Sequence, residues 1–252
     1  MKIIINRDAA ELGRRAAASA AASLNEAIAE KGVAYLLVST GMSQFTTFEA
    51  LIREDVDWTK VEMFHLDEYI GIPETHPASF VKYLKERFTC HIPLKAAHFV
   101  NIVGGVDAVI GNLTAELEKK PIDVGLIGIG ENAHIAFNDP PADFDSTAAY
   151  IVVRLDEACR RQQFGEGWFA SIDDVPAEAV SMTVNQILKC KRIISAVPYK
   201  VKADAVRKTL TAEKPTPLIP ATALRTHRDA TLLLDMESAS LVDEDIIERA
   251  SS

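Results

Sequence analysis

What most constrains the fold of this chain is an alternation of short β-branched apolar runs with longer amphipathic ones. KIIIN (Lys2 to Asn6) precedes an alanine-rich stretch of helical period from about Ala9 to Lys31, and AYLLVS (Ala34 to Ser39) follows it. VEMFHLDEY (Val61 to Tyr69), IDVGLIGIG (Ile122 to Gly130), KRIISAVP (Lys191 to Pro198) and ATLLLD (Ala230 to Asp235) continue the strand series. Ser79 to Phe88, Val106 to Lys119 and Lys200 to Leu210 fit a 3.6-residue period and predict helices between them. Strands that are apolar along their whole length are covered on both faces, as in a parallel sheet wrapped by helices. The rhythm therefore predicts an α/β domain with a mostly parallel sheet. The 252 residues, 48% of them hydrophobic, suffice for a large core. No repeat, low-complexity tract or Gly/Ser/Pro-rich linker divides them, so one domain over residues 1–252 is expected.

Composition removes several function classes. The formal charge of −9 disfavours nonspecific binding to nucleic acid, whose phosphates attract basic surfaces. No apolar run reaches the ~18 residues of a membrane-spanning helix, and MKIIINRDAAELGRR turns charged too early for a signal-peptide core. A cytoplasmic protein without membrane association is expected. Cys90, Cys159 and Cys190 are odd in number, widely spaced and without a C-x-x-C pair, which predicts reduced, mostly structural thiols and no metal centre. An anionic small molecule remains possible as a ligand if a few donors gather in one pocket.

In open parallel sheets ligands collect outside the carboxyl ends of the strands, so the polar residues that end each apolar run carry the information. STGMSQ, Ser39 to Gln44, puts three hydroxyls and a glycine where the chain turns into a helix, which suits a phosphate seat or an ordinary N-cap. Asp67 and Glu68 end the next run. One of them should face the pocket, where burial could tune a carboxylate to move a carbon-bound proton; a solvated acidic turn is the plain alternative. GIGENAHIAFNDP brings His134, with its titration range, close to Asp139, which could orient the imidazole; a structural histidine is the competing reading. Lys200, in PYK, stands where an ammonium could meet an anion, or is a surface lysine at a helix start.

Together these stretches resemble one family, the glucosamine-6-phosphate deaminase/isomerases. The likeness runs over nearly the whole chain: STGMS, LDEYIG with HPASF after it, GIGENAHIAFNDP, VPAEAVSMTV (Val175 to Val184) and PYK. The related 6-phosphogluconolactonases share the fold and a similar turn but differ after the histidine, where HIAFNDP favours the deaminase branch. The resemblance implies a Rossmann-like three-layer fold that opens the ring of an aldose 6-phosphate, moves a proton between C2 and C1, and expels ammonia, with no organic cofactor and no metal. It implies Asp67 as the base, His134 as the acid in ring opening and Asp139 as its support. Ser39, Thr40, Gly41, Ser43 and Lys200 fall on the phosphate-holding positions, and Arg160 or Arg161 is a candidate second cation. Two departures matter. The family turn usually reads D-G-H where this chain has Asn132-Ala133-His134, and Asp139 stands for a glutamate. Asn132 can hydrogen-bond a sugar hydroxyl but cannot accept a proton, so part of the relay is at issue. Galactosamine-6-phosphate isomerases also carry asparagine there, which makes the C4 epimer an alternative substrate; a lactonase-like hydrolase and a sugar-phosphate sensor without turnover are the others. A homo-oligomer is a further expectation.

Overall fold

The computed structural model of the protein describes residues 1–165, 167–243 and 245–246. Its first helix shows how the local sequence sets the geometry. Asp8 caps α1 (Ala9–Lys31) by accepting the Glu11 amide at 2.8 Å, and Gly32, at φ 76, ends it with its amide donating to the Ile28 carbonyl. Gly13 sits mid-helix, where glycine costs about 1 kcal/mol relative to alanine. A Cβ there would lie 2.5 Å from the Thr46 carbonyl carbon, so the glycine lets α1 pack backbone-close on α2 (Phe45–Leu51).

Seven strands form the main sheet: β1 (Lys2–Asn6), β2 (Ala34–Val38), β3 (Val61–His65), β5 (Ala96–His98), β6 (Val124–Leu126), β9 (Arg192–Val197) and β10 (Ala230–Asp235). They run parallel in the order β1-β10-β9-β6-β2-β3-β5. Alternate residues of each strand enter different cores, as the pleat demands. Leu37, Phe64, Leu232 and Leu234 pack with α4 (Val106–Lys119) and α7 (Ala203–Thr211). Leu36, Val38, Met63 and Leu233 pack with α1, α2 and α3 (Phe80–Arg87). Helices thus cover both faces of a parallel sheet, giving the expected three-layer Rossmann-like α/β arrangement. Among the described residues no helix is long and apolar enough to cross a membrane.

A second sheet departs from the strand series read in the sequence. VEMFHLDEY, expected as one strand, breaks at Leu66: β3 stays in the main sheet, while β4 (Asp67–Tyr69) turns away to pair antiparallel with β8 (Glu178–Met182). β8 in turn pairs antiparallel with β7 (Tyr150–Arg154). The β8 partners of β4 lie more than a hundred residues downstream, so no hairpin signal marks the pairing. IDVGLIGIG also keeps only Val124–Leu126 as strand, its remainder forming a buried loop. The expected helix from Lys200 begins as a 3₁₀ turn, Lys200–Lys202, before α7.

Candidate functional site

The strands β9, β6, β2 and β3 are neighbours, and the segment that follows each of them lines one pocket. Ser39 to Ser43 follow β2, Asp67 follows β3, Gly128 to Glu131 and His134 follow β6, and Tyr199, Val201 and Lys202 follow β9. From β2 the chain continues to β3 on one side, whereas from β6 the main sheet resumes at β9 on the other. That reversal of direction opens a crevice at the carboxyl edge.

The hydroxyl turn is fastened from several directions. The Ser39 amide donates to Leu126 of β6 at 3.0 Å, Tyr83 donates its hydroxyl to the Gly41 carbonyl at 3.0 Å, and Gln44 donates to Ser43 Oγ and the Ala196 carbonyl, both at 3.1 Å. Gly41, at φ 96, adopts a conformation that side chains resist. The buried Ser39 Oγ has no hydrogen-bond partner among the described residues. A Cβ on Gly128 would stand 3.7 Å from Ser39 Oγ and 3.9 Å from Ser43 Oγ, so its absence keeps the approach to both hydroxyls open. The buried ammonium-bearing Lys202 lines the same pocket. Hydroxyls, turn amides and a cation together suit an anion.

Asp67 and Glu68 have separate tasks. Asp67 is 6% exposed and lines the pocket; burial, with the Glu68 charge adding to it, pushes its carboxyl up to about 8 against the opposing effect of the Phe137 amide. Glu68 instead accepts Ser79 Oγ at 2.8 Å and the Val81 amide at 2.9 Å, securing the first turn of α3. Asp67 therefore faces the pocket and Glu68 holds the scaffold.

His134 lies flat against Gly130, where a Cβ would fall 2.2 Å from its Nε2. On its other side Nδ1 faces the carboxylate of Asp139, 3.0 Å from Oδ1. Burial alone would raise the Asp139 carboxyl, but its contacts with His134, Asn132 and Cys159 outweigh that and hold it below the usual carboxylate range. Asn132 does not line the pocket. Its side chain donates to Asp139 Oδ1 at 3.0 Å and accepts the His134 amide at 3.0 Å, so it braces the histidine loop rather than meeting a ligand.

Two expected cations are displaced. Lys200 is exposed and outside the pocket lining, while Lys202 lines the pocket, because the 3₁₀ turn swings the second lysine inward. Arg160 donates to the carbonyls of Ile172 at 2.7 Å and Val175 at 3.3 Å and is absent from the lining; it ties α5 (Glu157–Gly165) to the following loop. The exposed Arg161 pairs with Glu157 on the same helix. The pocket-facing residues of α5 are its glutamines: Gln162 accepts the Glu131 amide at 3.1 Å and Gln163 accepts the Tyr69 hydroxyl at 2.5 Å. Nothing in RRQQ marks the glutamines over the arginines. Helical phase against the pocket decides it.

Fold and pocket define a Rossmann-like α/β protein with a carboxylate, a histidine and a hydroxyl-lined turn beside a lysine over the carboxyl ends of adjacent strands. A family model described as glucosamine-6-phosphate isomerases/6-phosphogluconolactonase matches residues 7–233, and the chain belongs to that family. Glucosamine-6-phosphate deaminase of Thermoanaerobacter sp. (strain X514) is 32% identical over 258 residues, covering 98% of each chain. A solved monomeric glucosamine-6-phosphate deaminase, described as a missing link of the NagB superfamily, is 34% identical with a TM-score of 0.84 over 96% of this chain and 100% of its own. A 6-phosphogluconolactonase from Thermotoga maritima, 15% identical with a TM-score of 0.75 over 93% of this chain and 99% of its own, shares the fold alone.

Proposed function

We propose that the chain is an amino-sugar phosphate deaminase/isomerase converting glucosamine 6-phosphate and water to fructose 6-phosphate and ammonia. The observation that carries this reading is a buried carboxylate, Asp67, held in one pocket with His134 and a hydroxyl-lined anion seat. In the reaction the phosphate sits on Ser39, Thr40, Gly41, Ser43 and Lys202, which places the sugar ring toward Asp67 and His134. His134, poised by Asp139, carries the proton of the anomeric hydroxyl to the ring oxygen as the C1–O bond opens, leaving the C1 aldehyde. Asp67 then takes the C2 proton, the electron pair moves into a C1–C2 double bond as the aldehyde oxygen takes a proton from His134, and Asp67 returns its proton to C1 while the nitrogen lone pair forms the C2 imine. Water adds to the resulting C2 imine and ammonia leaves. A base whose ordinary pKa is raised toward working pH suits such a shuttle, since it can both accept and release the proton. The route calls for no organic cofactor.

The test offers glucosamine 6-phosphate, galactosamine 6-phosphate and 6-phosphogluconolactone separately and follows ammonia release and lactone hydrolysis. Ammonia from glucosamine 6-phosphate supports the proposal, and lactone hydrolysis alone overturns it. Asn132, turned away from the pocket, gives no ground for preferring the galactosamine epimer. The expected homo-oligomer is tested by sedimentation, and the solved relative of TM-score 0.84 is described as monomeric. We place the activity in the cytoplasm, within one domain.

Two substitutions probe the histidine. Gly130→Ala drives a methyl into the imidazole and is expected to lower kcat by about 10²-fold, the effect of an approximately 1 Å misplacement, with a smaller change in KM. A wild-type kcat would contradict the assigned role. Asn132→Asp puts a second carboxylate 3.0 Å from Asp139 in place of a donor. The two acids must share a proton, so turnover should change by less than about tenfold in either direction. The carboxyl pKa of that pair is raised in the fold, so stability is lost as pH rises. The melting temperature of Asn132→Asp should therefore fall further below wild type at pH 8 than at pH 5, and the reverse order would refute this account.

A further inference from the structure

Behind the pocket, three metal-ligating side chains from two parts of the chain converge. His134 Nδ1, an Asp139 carboxylate oxygen and Cys159 Sγ lie within 4.8 Å of one another, the cysteine coming from α5 and the other two from the loop after β6. The site is built rather than incidental. Cys159 is fully buried, His134 is 8% exposed, and its Nδ1 stands 3.0 Å from Asp139 Oδ1 inside the group. The Asp139 carboxylate is steadied by Asn132, and the Cys159 amide donates to Asp156 at 2.6 Å, which anchors the first turn of α5. Among the described residues no other group of three histidine, cysteine or acidic side chains converges in this way.

One nitrogen, one oxygen and one sulfur ligand are donor types that zinc takes, and zinc accepts three protein ligands while keeping a fourth tetrahedral position for water. We propose that His134, Asp139 and Cys159 form a binding site for a soft divalent cation, zinc foremost, whose occupation silences the enzyme. On binding, the thiol proton leaves to solvent and Sγ, Nδ1 and a carboxylate oxygen each donate a lone pair to the metal. The ion then takes Asp139 away from the imidazole and fixes the ring, so His134 can no longer be poised by its carboxylate. The cation is thus an inhibitor rather than a participant. Binding is independent of the proposed function; only the silencing rests on it.

The experiment titrates the purified chain with Co²⁺, whose tetrahedral thiolate complexes show a sulfur-to-cobalt charge-transfer band, and then displaces it with Zn²⁺. One Co²⁺ per chain with that band, displaced by one equivalent of Zn²⁺, is expected, together with loss of ammonia release from the amino sugar phosphate. Cys159→Ser should abolish the band and weaken both Zn²⁺ binding and Zn²⁺ inhibition by at least about tenfold, whereas the exposed Cys90, changed to Ser, should leave the spectrum intact. Cys159→Ala repeats the measurement should the serine variant fail to fold. No charge-transfer band in the folded wild type, its persistence without Cys159, or full ammonia release from the zinc-loaded protein would overturn the proposal. If the metal-free protein releases no ammonia from any amino sugar, the functional reading fails while the spectra still decide the metal site.

Discussion

Asp67→Asn is expected to bind the amino sugar phosphate yet lose exchange of the C2 proton with solvent deuterium, with kcat falling by about 10²- to 10⁴-fold, the range for a positioned acid–base group. Retained exchange would remove Asp67 from the mechanism. The wild-type pH profile carries the same signature. Burial raises the Asp67 carboxyl from 3.8 to about 8, and the base must be ionised to act, so kcat/KM should climb with pH along a single-proton limb that levels near 8. The stability consequence has the opposite sense. A group whose pKa is raised in the fold contributes stability below its unfolded value and loses it as pH rises through the folded value. The wild type therefore loses stability between pH 4 and pH 8 through this residue, by up to about 1.4 kcal/mol for each pH unit crossed. Asp67→Asn, which cannot ionise, should melt above the wild type at pH 8 and near it at pH 4. Equal melting temperatures at both pH values would show that Asp67 is ionised in the fold at low cost.

Lys202→Ala is expected to raise KM for the phosphorylated sugar by about 10- to 100-fold, since a hydrogen bond to a charged group contributes roughly 1.5–3 kcal/mol. The phosphate is remote from C1 and C2, so its contact strengthens ground state and transition state alike and kcat should change little. Lys200→Ala, on the solvent side of the same turn, should leave both constants within about twofold, in line with the small worth of exposed charges. Equal effects of the two substitutions, or a loss carried by kcat, would contradict placing the anion at Lys202.

Local periodicity accounts for the elements of this protein that form from near neighbours in the chain. β1, α1, β10, α4 and the strand portions of AYLLVS and KRIISAVP follow directly from where apolar residues recur. The rule that strands present polar groups at their carboxyl ends also singles out Ser39 to Ser43, the pair Asp67 and Glu68, and His134; of these Ser39 to Ser43, Asp67 and His134 line one pocket because their strands are neighbours. What a strand-end rule cannot supply is phase. Lys200 and Lys202 are two residues apart, and only the 3₁₀ turn closed by the Lys202 amide on Tyr199 decides which faces inward. Gln162 and Arg160 share one helix, and only the seat of α5 against the Ile172 and Val175 carbonyls turns the arginine away. Asn132 reads as a sugar ligand from its position beside His134, but tertiary packing brings Asp139 within hydrogen-bonding reach and takes the side chain out of the pocket. The antiparallel sheet of β4, β8 and β7 is hidden for the same reason: pairing β4 with a strand more than a hundred residues away is rewarded by burial and hydrogen bonds that exist only once the chain has closed. Local propensity chose the elements, and long-range packing chose which side chains reach the pocket.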